Sequence, residues 1–100
     1  MPYYKLLDNV SVNTEGEPYK GLGAGMALDI WAEDFGGGTV NIELSPDNGT
    51  TWIMGSFGGN PSSFTENKAL YIIKIGIGEL IRATLTGATG ASNVNVMLFS

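Results

Sequence analysis

The groups able to do acid–base chemistry in this chain are carboxylates, with Glu15, Glu17, Asp29, Glu33, Asp34 and Glu43 as the candidates. The 100 residues contain no His and no Cys. Without imidazole, general-base and triad chemistry lose their usual proton acceptor, and metal sites lose a common ligand. Without thiols there is no disulfide and no thiolate metal site, which fits a reducing compartment. A glycosidase would need two carboxylates roughly 5–10 Å apart across a sugar cleft. Glu33 and Asp34 share one loop, where a solvated turn is the simpler account. A calcium ion among carboxylates and carbonyls is the alternative there, and nothing in the spacing demands it. Gly55-Ser56-Phe57-Gly58 departs from a nucleophile elbow. Gly21-Leu22-Gly23-Ala24-Gly25 hints at a phosphate loop but has neither a strand–turn–helix setting nor a following P-loop Lys. The expectation is a protein with no enzyme activity, no cofactor and no metal.

Composition narrows the partners. The net charge is −5 with five Lys+Arg, which argues against nucleic acid, since that needs a basic stripe. No apolar run reaches the length of a membrane span. Residues 1–8 lack the basic start and apolar run of a signal peptide, so synthesis in the cytoplasm is expected. The sequons at Asn9 and Asn48 then read as chance matches. A hydrophobic content of 43% marks a globular chain, and the length suits a single domain over 1–100. Charged residues make up 15%, against about 25% in ordinary domains. A weakly charged surface suggests that part of it is covered by a partner.

The elements that would position any site are strands. Val10 and Val12 share a face of a short strand over 9–13, with residues 1–8 as a possible N-terminal arm. Met26, Leu28 and Ile30 alternate along 26–32, Val40, Ile42 and Leu44 along 39–44, Ile81, Ala83 and Leu85 along 80–86, and Val94, Val96 and Leu98 along 93–100. Residues 69–77 are nearly continuous apolar, and their β-branched content with Gly76 and Gly78 favours a buried strand over a helix. Residues 55–67 form a long loop carrying Phe57 and Phe64. It is either a crossover capped by its aromatics or an arm that docks on a neighbouring subunit. The total is about seven strands in an all-β antiparallel sandwich, jelly-roll or immunoglobulin-like. Trp31, Met97 and Phe99 face away from the alternating core positions. Strands apolar on both faces imply a second buried surface.

The most specific local signal is Ser45-Pro46-Asp47-Asn48-Gly49-Thr50-Thr51-Trp52. Its pattern, Ser-x-Asp-x-Gly-x-Thr-Trp, resembles the Asp-box hairpin of secreted and viral β-proteins. Pro46 presets φ, Asp47 accepts backbone N–H groups, and Gly49 takes positive φ without steric cost. A structural hairpin of Ser45, Asp47, Gly49, Thr51 and Trp52 is the reading, and a cation or sugar ligand at Asp47 is the alternative. No 20–50-residue period repeats, so the box does not signal a propeller.

Three stretches taken together, 36–52, 81–90 and 93–96, resemble small virion proteins of tailed bacteriophages, in particular capsid decoration (cement) proteins. The similarity spans roughly 25–99. It implies a non-enzymatic β-sandwich that forms a homotrimer on the outer capsid surface and braces neighbouring subunits of the major capsid protein. Candidate interface residues are Tyr3, Tyr4, Trp31, Phe57, Phe64, Met97 and Phe99. The alternative is a carbohydrate-binding module of a phage tail or fibre, with Trp52 and Asp47, or Trp31 and Asp29, supplying an aromatic platform and a polar partner.

Overall fold

The computed structural model describes residues 3–21, 25–55 and 62–99, with 70–72 followed along the backbone alone. The described residues contain no helix. Ten strand segments run in chain order: β1 (Tyr3–Val10), β2 (Thr14–Glu15), β3 (Tyr19–Lys20), β4 (Gly25–Trp31), β5 (Thr39–Ser45), β6 (Ile53–Met54), β7 (Ser63–Phe64), β8 (Lys68–Lys74), β9 (Leu80–Thr86) and β10 (Val94–Phe99). They make two antiparallel sheets, and one hydrophobic cluster draws on both.

The first sheet has the order β1-β10-β4-β8. The second has β2-β9-β5-β6, with β3 also on β9 and β7 also on β5. Since β5 occupies one side of β9 along its whole length, β2 and β3 lie in line on the other side. By the same reasoning β6 and β7 lie in line along β5. Ile42 joins them: its N–H donates to the Ser62 carbonyl at 2.8 Å, and its carbonyl accepts from Gly55 N–H at 3.0 Å. Merging each in-line pair leaves eight strand positions, ordered 1-8-3-6 and 2-7-4-5. Position 1 pairs with 8, 2 with 7, 3 with 6, and 4 with 5. Nested pairs rolled into two sheets are a jelly roll. Of the two expected sandwich topologies, this is the one formed.

The alternation read from the sequence is what builds the core. Leu28, Val40, Ile42, Ile81, Ala83, Val94 and Val96 are fully buried. Breaking the two edges of the second sheet into two-residue pieces leaves no long flat edge there to pair with other chains. One of those edges also closes the side of the sandwich. Gly16 donates to the Ala83 carbonyl at 2.9 Å. Its Cα lies so close to β1 that a Cβ there would collide with the Leu6 carbonyl oxygen.

Several expectations are corrected. Residues 3–10 are not an arm but a full edge strand on β10. A register shift between Lys5 and Leu7 breaks the two-residue period, so that Leu6 and Leu7 are both buried, at 1% and 2% exposure. The strand expected over 9–13 ends at Val10, because Asn9 takes a φ of 51° and the chain turns; Val12 is exposed. Ile77 is not in a buried strand. It is 86% exposed in the turn between β8 and β9, where Gly78 has a φ of 79°. Thr84 lies on the outer face as expected, yet it is buried under its neighbours. The middle of the 55–67 loop, including Phe57, and residues 22–24 lie outside the described residues.

Candidate functional site

The Asp-box octapeptide folds as a closed turn. The Ser45 hydroxyl donates to Asp47 Oδ1 at 3.0 Å and accepts from Gly49 N–H at 2.8 Å. The same Oδ1 accepts from Thr51 N–H at 2.7 Å. Asn48 and Gly49 take φ values of 60° and 94°, the region open to Asn and Gly. The Thr51 side chain, then the Thr51 backbone N–H, hold the Asp47 carboxyl below its ordinary value against desolvation, with a lesser contribution from the Ser45 hydroxyl. Asp47 Oδ1 and the Ser45 hydroxyl are both engaged inside the turn, so the geometry is that of a lock.

Trp52 sits beneath this turn on the outer face of the second sheet. The Arg82 guanidinium lies 4.2 Å from the centroid of its ring. Arg82 Nε donates to Glu43 at 2.8 Å, and its Nη2 lies 3.6 Å from Glu15. Next to this cluster the Asn41 amide donates to Thr86 Oγ1 at 3.0 Å and accepts from the Ser63 hydroxyl at 3.0 Å. Around Arg82 and Asn41 the outer face of the second sheet is thus polar and internally paired, with Met54, opposite Glu43 and 46% exposed, at its β6 edge. Glu15 and Glu43, candidate acids in the sequence, are partners of Arg82. Nothing local in the sequence singles Arg82 out, because its partners come from β2, β5 and the hairpin.

The outer face of the first sheet is different. The register sets Tyr3 opposite Phe99 and Phe99 opposite Ala27; the next row sets Lys5, Met97 and Asp29 side by side; the next sets Asn95 opposite Trp31. Tyr3 is 61% exposed and Trp31 39%, with Met97 and Phe99 half-buried between them. The Tyr3 and Phe99 rings lie 6.5 Å apart. Four of the seven candidate interface residues therefore come together on one face. Tyr4 does not join them: it points inward, with its ring 5.1 Å from Tyr19 and its hydroxyl 3.4 Å from the Pro18 carbonyl. Phe64 is also corrected to a core residue, 8% exposed and paired with Val40.

At the edge of this face Trp31 borders a cleft of about 380 Å³ with Asp29, Asn67, Lys68 and Ala69. A second cleft of about 490 Å³ lies between residues 32–38 and 65–67. Glu33 and Asp34 line it but are committed to holding loops together. Glu33 Oε1 accepts from Ser92 Oγ at 2.7 Å and Asn93 Nδ2 at 3.3 Å, and Asp34 Oδ1 accepts from Gly36 N–H at 2.7 Å. Among the described residues no cluster of three acidic groups is arranged to hold a metal ion. No protein-family model, curated protein or solved structure matches the chain.

Proposed function

We propose that this chain is a non-enzymatic structural protein that works by docking the outer face of β1-β10-β4-β8 on a neighbouring protein subunit. The observation that carries the reading is the contrast between the two outer faces. One has its polar groups paired among themselves, with Met54 exposed at its β6 edge; the other exposes Tyr3, Trp31, Met97 and Phe99 beside the Lys5–Asp8 ion pair and Asp29, with Lys74 at its β8 edge. Exposed aromatic and Met side chains grouped on one face are the residue types enriched in protein interfaces. With the resemblance of 36–52, 81–90 and 93–96 to phage head proteins, the assembly is the capsid of a tailed bacteriophage. The chain sits on its outer surface as a trimeric decoration protein that bridges major capsid protein subunits. Separating those subunits would then require stripping this face as well. The acidic balance suits a position away from packaged DNA.

The cleft beside Trp31 supports a second reading, a glycan-binding module of a tail or fibre. Its exposed indole is flanked by Asp29, Asn67 and Lys68, a ring platform with polar groups at its rim. Light scattering of the purified chain, followed by titration onto expanded heads that lack it, separates the two. A trimer that saturates the heads supports decoration. A monomer that leaves the heads bare and binds host polysaccharide supports the second reading and overturns the first.

A further inference from the structure

We infer that Asn48 is a latent deamidation site kept closed by its own hairpin, with the Ser45 hydroxyl as the lock. The turn demands positive φ at two successive positions, 60° and 94°, and Asn followed by Gly meets that demand at the least steric cost. The same pair is the one most open to self-modification, because Gly49 has no side chain to hinder approach of its own nitrogen to the preceding amide. In that reaction base removes the Gly49 amide proton and the nitrogen attacks Asn48 Cγ. A new C–N bond closes a five-membered succinimide, the Cγ–Nδ2 bond breaks, and ammonia leaves. Water then adds across either imide C–N bond and gives aspartate or isoaspartate.

The folded turn blocks the first step. The Gly49 N–H is engaged, donating to Ser45 Oγ at 2.8 Å. That oxygen is fixed in turn by donating to Asp47 Oδ1 at 3.0 Å, and Asp47 is fixed by Thr51 N–H at 2.7 Å. Ser45 is fully buried, although Asn48 itself is exposed. Deprotonation of Gly49 therefore requires the Ser45 contact to open first, a local event distinct from global unfolding. The change, once made, works against re-closure. Aspartate puts a second carboxylate next to Asp47, and isoaspartate lengthens the backbone by one carbon and moves Gly49 N–H out of reach of Ser45. The hairpin thus records its own openings irreversibly.

The test is to incubate the whole protein at mildly alkaline pH and follow aspartate and isoaspartate at position 48 by tandem mass spectrometry, with the urea-unfolded chain as reference. The folded protein should react about fivefold more slowly, the factor set by one hydrogen bond of about 1 kcal/mol that must open first. Ser45→Ala should remove most of that protection while the protein stays folded. Leu28→Ala, a core truncation far from the turn, should not. Equal rates in folded and unfolded wild type would overturn the inference, as would equal acceleration by the two variants. Should Ser45→Ala not fold, the wild type decides along a urea series below its unfolding transition. Hydrogen exchange at the Gly49 amide and deamidation at Asn48 should rise together, and deamidation that ignores Gly49 protection would overturn the lock.

Discussion

The Arg82 guanidinium lies 4.2 Å from the Trp52 ring centroid while its Nε donates to Glu43 at 2.8 Å. One side chain so fastens the Asp-box hairpin to β5 and β9. Only a planar, permanently charged group both stacks and donates from one position. Arg82→Lys should destabilise the protein by about 1 kcal/mol and Arg82→Ala by more, read from urea midpoints. A neutral Lys variant would mean that the stacking contributes nothing.

The two acidic partners of Arg82 should not be equivalent. The Glu43 side chain is 21% exposed and that of Glu15 75%. Glu43→Gln should cost about 1–2 kcal/mol as a charged, partly buried hydrogen bond is lost. Glu15→Gln should change stability by less than about 0.5 kcal/mol, as exposed ion pairs do. Similar values for both would contradict the assignment of Glu43 as the principal partner.

Acid should reveal the Asp47 lock. Because its carboxyl is held below the ordinary value of 3.8 in the folded chain, the unfolded chain takes up the proton first as pH falls. The stabilisation is therefore complete above the ordinary value and is lost as pH drops through the lowered one. Asp47→Asn cannot titrate, so the stability gap between wild type and variant should be widest near neutral pH and should close in acid. A gap that stays constant across that range would show that the turn does not depend on the charge.

Gly16→Ala should be among the most damaging single-methyl additions in the chain. The new Cβ has the Leu6 carbonyl oxygen in its way and the Ala83 carbonyl oxygen 2.9 Å off. Both obstacles are backbone and cannot swing aside. A loss of at least about 2 kcal/mol in chemical denaturation is expected. A silent substitution would mean that β1 and residues 14–20 do not close the side of the sandwich as described.

Much of this fold was legible from alternation alone. The strands around 26–32, 39–45, 80–86 and 93–99 each turn their core residues to one face at a two-residue spacing, although Thr84 and Asn95 are buried on the other. β1 was not legible, because the shift between Lys5 and Leu7 turns two successive leucines inward. β2, β3, β6 and β7 are two residues long and too short to carry a period. At Ile77 turn geometry outranked hydrophobicity. The Asp-box turn could be read residue by residue since its bonds are local. The Arg82 cluster and the grouping of Tyr3, Trp31, Met97 and Phe99 depend on strand order, which no local pattern encodes.

The face proposed to dock carries its own reporter. Lys5 lies in the same row as Met97 and Asp29, so its amine marks that face, and Lys74, opposite Gly25 at the end of β8, lies at the far edge of the same face, while Lys20 on β3 belongs to the other sheet. The most direct measurement is lysine cross-linking with mass spectrometry on virions that contain this chain. The account predicts that Lys5 cross-links to the major capsid protein and that Trp31→Glu abolishes both the cross-link and incorporation, while the isolated variant stays folded. Incorporation that survives Trp31→Glu, or cross-links to the capsid from Lys20 but not from Lys5, would contradict it.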